Sequence, residues 1–254
     1  MKSAGPVVAP DSAGQGATAA PADGRQAVAL LSGGLDSATA ALWARAQGYG
    51  LTALTIDYGQ RHRTEIDAAR QVAAALGIAE HVVLPIDLTA FGGSALTDAA
   101  IAVPHGRSAT EIAHGIPATY VPARNTVFLS LALALAEARG AAAIVIGINA
   151  IDYSGYPDCR PEYLAAFARM AALGTKVGVE GRPVEFLAPL AGLSKEAIVR
   201  LGLSLGLDPG LTTSCYDPGP DGRPCGSCDS CLLRAAGFAA AGATDPRSAP
   251  DRWR

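Results

Sequence analysis

Residues 27–37 read AVALLSGGLDS, and the fold turns on them. Residues 27–31 are an unbroken apolar run with the length and composition of a buried strand. Two glycines follow, and then a segment, 39–47, whose pattern predicts a helix with Leu42 and Trp43 facing inward. A strand that ends in glycines and reopens as a helix is suited to gripping phosphate. Glycines reach positive φ and let backbone N–H groups approach an anion, and the helix adds its positive end. Ser32 and Ser37 bring hydroxyl donors. The plainer reading is a tight strand-to-helix turn capped by Asp36 or Ser37.

The same alternation continues outward. Strands are predicted at 51–56, 81–85, 142–146 and 184–188. Helices are predicted at 63–76, closed by Gly77; at 125–138, capped by Asn125; at 161–173; and at 194–205, capped by Ser194. Ile66, Ala69, Val72 and Ala73 form one apolar stripe. Alternating strands and helices predict an α/β fold, an open and mainly parallel sheet with helices on both faces. Ligands in such sheets bind beyond the carboxyl ends of the strands. LSGGLDS, DYG at 57–59, GINAIDYSGYPDCR at 147–160 and PLAGLSK at 189–195 all follow predicted strands, so they should converge on one edge. A long Gly/Ser/Thr/Pro segment at 89–124 reads as a functional or mobile loop.

The chain has 254 residues, 50% of them hydrophobic, enough for one large domain with a small appendage. A net charge of −3 without a basic run argues against a general nucleic-acid binder. No apolar stretch approaches a membrane span. Residues 1–26 are mostly Ala, Gly, Pro, Ser and Asp, without the basic start and apolar core of an export signal. With little to bury, they are expected to be a disordered extension. Five cysteines without an export signal point to the cytoplasm, where clustered thiols bind metal or react.

Two common phosphate motifs do not fit. The loop lacks the G-K-[ST] of a P-loop kinase, so no lysine within it reaches the outer phosphates, and it lacks G-x-G-x-x-G. Asp57 stands about where a dinucleotide fold places its ribose-binding acid, but without that glycine fingerprint the reading is weak.

Cys225, Cys228 and Cys231 form C-x-x-C-x-x-C, and Cys215 lies ten residues upstream. Four thiolates on chelating turns suit a closed, structural, tetrahedral zinc site, which leaves no open position for chemistry. An iron–sulfur cluster is the rival, disfavoured by the missing C-P and the upstream fourth ligand. Cys159 stands apart. It reads either as a small buried residue or, with less support because no activating base lies nearby in sequence, as a nucleophile.

SGGLDS resembles the phosphate loop of the ATP pyrophosphatase (PP-loop) superfamily, which splits ATP between its α- and β-phosphates. Taken with DYGQRH, VPARN, DYSGYPDCRPE, LSKEAIVRLG and SCY–PCGSCDSCLLRAAGF, it resembles the 7-cyano-7-deazaguanine synthase family over about residues 27–238. That resemblance implies ATP with Mg²⁺, 7-carboxy-7-deazaguanine and ammonia as substrates, the nitrile preQ0 as product, and a homodimer acting on neither nucleic acid nor membrane. It divides the chain into an extension (1–26), a PP-loop ATP-binding catalytic domain (27–212), a four-cysteine zinc-binding region (213–241) and a tail (242–254).

For the site, it implies that Leu31, Ser32, Gly33, Gly34, Leu35, Asp36 and Ser37 hold the pyrophosphate, with Asp36 on Mg²⁺. Lys195 and Arg124 would neutralise phosphate or carboxylate charge, and Asp57 and Tyr58 would border the nucleoside. Asp158, or else Asp152, would accept from the N1–H and 2-amino group of the base, Tyr153 or Tyr156 would stack on it, and Arg160 would lie nearby. One alternative keeps the activation but passes the deazaguanine to an amine of another macromolecule. Another is a zinc-ribbon interaction module on a degenerate nucleotide-binding domain.

Overall fold

The computed structural model of the protein describes residues 24–149 and 156–248. The chain runs β1 (Gln26–Leu30), α1 (Leu35–Ala46), β2 (Gly50–Asp57), α2 (Thr64–Ala75), β3 (Glu80–Pro85), α3 (Ala109–Ile112), α4 (Arg124–Arg139), β4 (Ala143–Val145), α5 (Pro161–Gly174), α6 (Lys176–Val179), β5 (Glu185–Leu187), α7 (Lys195–Ser204) and α8 (Asp229–Ala241). The five strands are all parallel, in the order β3-β2-β1-β4-β5. The chain leaves β1 toward β2 and later crosses to β4 on its other side, so a crevice opens at the carboxyl end of β1.

β1 shows why the apolar run becomes a central strand. Side chains alternate faces along a strand. Ala27, Ala29 and Leu31 enter a core built with α1, α2, α7 and α8, while Val28 and Leu30 enter a second core built with α4 and α5. Both faces are covered, so no position along the run needs to be polar. Each large side chain sealed here, such as Leu54, Leu129 or Ile144, contributes roughly 1.5–3 kcal/mol relative to exposure.

Three local expectations change. First, α1 begins at Leu35, directly after the glycines. Its deep face is the small-residue set Ala38, Thr39, Ala40, Ala41 and Ala44, and Leu42 and Trp43 pack half-buried at the margin. Second, Asn125 does not cap α4. Ala123 holds the N-cap position in a left-handed conformation, φ 54 and ψ 22, and Asn125 lies buried inside the first turn. Third, the 89–124 loop is not loose along its length. It is tied to the cysteine region by an antiparallel bridge between His105 and Cys228, a Gly106 N–H to Ser227 carbonyl bond of 2.8 Å, and an Arg107–Asp229 ion pair of 2.7 Å.

Among the described residues, no helix is long and apolar enough to cross a membrane.

Candidate active site

The four stretches that follow predicted strands do meet. One cavity at the carboxyl edge of the sheet is lined by Leu31, Ser32, Gly34, Leu35, Asp36 and Ser37 after β1, by Tyr58 after β2, by Gly147 and Asn149 after β4, and by Lys195 at the start of α7. Arg124 and Asn125 of α4, with Tyr156 and Cys159, close the other side.

The phosphate loop is built by close backbone approach. Gly33 has φ +82, and a Cβ there would sit 2.3 Å from the Glu65 carbonyl oxygen and 2.6 Å from the Ala69 nitrogen, so only glycine fits between the loop and α2. Gly34 is different from expectation. It is extended, φ −78 and ψ 162, and serves as N-cap of α1 without a side-chain cap. Neither Asp36 nor Ser37 caps the helix, so the plainer turn-capping reading is not what the loop does. Among the described residues, no side chain covers the N–H groups of the first turn, the usual place for an anion. Ser32 and Ser37 face each other with their oxygens 3.0 Å apart, and Ser37 Oγ donates to the Gly34 carbonyl at 3.1 Å.

Asp36 and Lys195 are 159 residues apart in sequence and adjacent in space. Lys195 Nζ donates to both carboxylate oxygens, at 3.0 and 2.7 Å. The Lys195 stem lies against Gly237 of α8, where a Cβ would be 2.4 Å from Lys195 Cγ. Arg124 lies 5.9 Å from the ring centroids of both Tyr58 and Phe128, a cation held on aromatic faces. Tyr156 is buried, with its hydroxyl 2.9 Å from Thr119 Oγ1 and its ring 5.8 Å from that of Tyr120.

Other candidates are not cavity walls. Asp57 pairs with Arg63. Arg160 is exposed and opens α5. Asp158 is buried, and its Oδ2 accepts from the Asn125 N–H at 3.0 Å while its carbonyl accepts from Asn125 Nδ2 at 3.1 Å. A carboxylate on a first-turn N–H caps the helix from outside, so Asp158 fixes the start of α4, next to Arg124. Asp152 and Tyr153 lie outside the described residues.

The Cys159 thiol receives a contact from Asn125 Nδ2 at 3.4 Å, and burial pushes its pKa up to about 12. A thiol that stays protonated at neutral pH favours the reading of a small packing residue over a nucleophile.

Several cavity residues carried little signal in the sequence. Gln60, Glu65, Ser214, Tyr216, Ser230 and Arg234 all line it. Glu65 looked like an ordinary first-turn acid. Arg234 is a charged residue, yet it is 6% exposed and ties α8 to Asp245, Thr212 and Pro209.

Cys215, Cys225, Cys228 and Cys231 bring four sulfurs within 4.8 Å of one another. A tetrahedral zinc with Zn–S near 2.3 Å needs sulfurs about 3.8 Å apart, and Cys225 and Cys231 are already at 4.0 Å. Backbone N–H groups of Cys225, Tyr216, Asp217 and Cys228 point at the sulfurs at 3.2–3.4 Å. Such donors favour thiolates; the thiols share their protons unevenly, with hydrogen bonds from Cys215 and Cys231 lowering Cys228 while Cys215 and Cys231 are themselves raised. The cluster can therefore hold a metal ion. It is fastened to the cavity, because the Thr213 N–H donates to the Gly33 carbonyl at 2.9 Å.

Comparison with known proteins finds relatives over most of the chain. The family profile described as "Queuosine biosynthesis protein QueC" matches residues 26–242. A protein of Anaeromyxobacter dehalogenans (strain 2CP-C) named 7-cyano-7-deazaguanine synthase is 60% identical over 227 residues, 89% of this chain and 97% of that one. Proteins with the same name from Frankia casuarinae and Azotobacter vinelandii are 62% and 60% identical, each over 87% of this chain and over 92% and 97% of their own.

Proposed function

The chain belongs to the QueC family of queuosine biosynthesis proteins, and from that premise we propose how its cavity works. The reaction is the ATP-dependent formation of C–N bonds that yields 7-cyano-7-deazaguanine (preQ0). A carboxylate cannot expel oxide, so the acid must first be activated. Attack of the 7-carboxy-7-deazaguanine carboxylate on the α-phosphorus gives an acyl adenylate and releases pyrophosphate. Ammonia displaces AMP to give the amide. A second adenylation, now of the amide oxygen, lets a second AMP leave and the nitrile form. One site serves twice because both activations act on an oxygen of the same carbon.

The observation that carries this reading is the meeting of the uncapped start of α1, the Lys195–Asp36 pair and the Arg124 wall in one cavity. In the proposed roles, the backbone of residues 31–37 receives the departing pyrophosphate, as preorganised donors do for developing charge. Lys195 neutralises it. Asp36 would hold the Mg²⁺ that arrives with ATP, and that ion would offset phosphate charge. Arg124, a planar fork, faces the α-phosphate or the substrate carboxylate.

Tyr58 borders the nucleoside and Tyr156 the base. With Asp158 engaged by Asn125, the paired donors of the deazaguanine fall to Asp152. The four cysteines hold one structural zinc. A homodimer, ammonia as nitrogen source, a free base rather than a nucleic acid as substrate, and a cytoplasmic setting complete the reading.

Purified protein with ATP, Mg²⁺, ammonium and the acid is expected to give preQ0 by mass spectrometry, with two AMP and two pyrophosphate per nitrile. ADP and phosphate as the only nucleotide products would refute the α–β cleavage.

A further inference from the structure

Glu65 sits at a junction. It belongs to the first turn of α2, and its carbonyl lies directly against Gly33 of the phosphate loop. Its side chain lines the same cavity, toward Arg124 of α4 and Tyr58 after β2. Asp36, Lys195, Arg234, Tyr156, Tyr216 and Cys159 complete the charged and titratable lining of that cavity among the described residues. The carboxyl therefore lies between the wall that takes phosphate and the wall that carries Arg124, where acid and α-phosphorus must meet. Among the described residues, it makes no hydrogen bond and no ion pair within 4 Å, so nothing holds its lone pairs. The reaction needs such a group. Both C–N bond-forming stages strip protons from one nitrogen, and the roles assigned above provide no acceptor for them.

We propose that the Glu65 carboxylate is the base that takes protons from the substrate nitrogen, at amide formation and again at nitrile formation; the proposal rests on the function assigned above. In the first stage the ammonia lone pair forms the bond to the acyl carbon. The C–O bond to AMP breaks with its electrons on AMP, and one N–H proton passes to Glu65. The amide oxygen then attacks the α-phosphorus of a second ATP, pyrophosphate leaves, and one N–H proton passes to Glu65 to leave the neutral adenylated imidate. In the last stage the remaining N–H bond breaks. Its proton goes to Glu65, its electron pair becomes the third C–N bond, and the C–O bond breaks with its pair on AMP. Glu65 returns each proton to solvent between stages.

The electrostatics suit this work. Burial raises the Glu65 carboxyl from an ordinary 4.5 to about 7, with Arg124 opposing the rise. A base serves best when its pKa lies near the working pH. The sign for folding also follows. The native state binds the proton more tightly than the unfolded chain, so this group's contribution is fully present below pH 4.5 and is lost as pH rises through about 7. Glu65→Gln removes that loss and should fold.

The test compares wild type, Glu65→Gln and Glu65→Asp for acid-dependent pyrophosphate–ATP exchange, which reports adenylation, and for nitrile formation. In Glu65→Gln, exchange is expected within about threefold of wild type, while nitrile formation falls roughly 100- to 10,000-fold, the range of a general base. Wild-type kcat should rise with pH along a limb near 7. Glu65→Asp should recover part of the rate with a displaced limb, and Glu65→Gln should have none.

Nitrile formation within threefold of wild type in Glu65→Gln overturns the role. So does equal loss of exchange and nitrile formation, which would mark a structural or ATP-holding residue. If Glu65→Gln melts well below wild type, Glu65→Asp decides, and an unshifted limb there overturns the role. A wild type that exchanges pyrophosphate but makes neither amide nor nitrile overturns the assigned reaction itself, and the role of Glu65 with it.

Discussion

Lys195→Ala and Asp36→Ala each lose more than about 100-fold in preQ0 formation, the scale of removing one well-placed charge stabiliser. The pair is largely shielded from water, with Lys195 and Asp36 side chains 11% and 21% exposed. Removing either partner strands the other charge in a site of reduced dielectric, and that cost adds to the lost contact with phosphate. The double variant should be much less than the product of the two single losses, because groups that act as one unit are not additive. Steady-state kinetics and acid-dependent pyrophosphate exchange on the three variants check this. Single variants that keep exchange within tenfold would remove both residues from adenylation.

Cys228→Ser loses the bound metal and lowers the melting temperature by roughly 10 °C or more. Loss of a metal site belongs to the small class of changes that cost above about 4 kcal/mol, and each kcal/mol moves a domain of this size by about 2–4 °C. Cys228 is fully buried and is also the N-cap of α8, so the damage spreads. α8 packs along α7, which begins at Lys195, and Thr213 holds the Gly33 carbonyl. ATP affinity should therefore weaken together with stability. Elemental analysis should show about one zinc per chain in wild type and little in the variant. Iron in the protein, or a fully active protein without metal, would contradict the zinc assignment.

The sequence carried the sheet well because its signals were local. An apolar run closed by glycines reads as a buried strand at 27–31, and five strand signals alternating with helices read as a parallel sheet. The four cysteines were legible for the same reason, since chelating spacing is a property of short segments. What escaped depended on distant partners. Asn125 looks like a helix cap, but the cap comes from Asp158, 33 residues later. Asp158 reads as a base-reading acid in the sequence, and only the structure shows that one of its carboxylate oxygens holds the Asn125 N–H. Two adjacent glycines look equivalent, yet only Gly33 must avoid a Cβ, because α2 presses on it from elsewhere in the chain. Glu65 and Arg234 carry ordinary helix-surface signals, and only the packing of α2 and α8 turns them toward the cavity.

Gly237 leaves a vacant notch on α8 in which the stem of Lys195 rests. A methyl group there would meet that stem well inside van der Waals distance, and the ammonium would be pushed off line by the length of the displacement. Such a variant would mimic the removal of a cation in its kinetics while every charged residue stayed in place. The reach of a catalytic side chain can thus be set by a residue with no side chain at all.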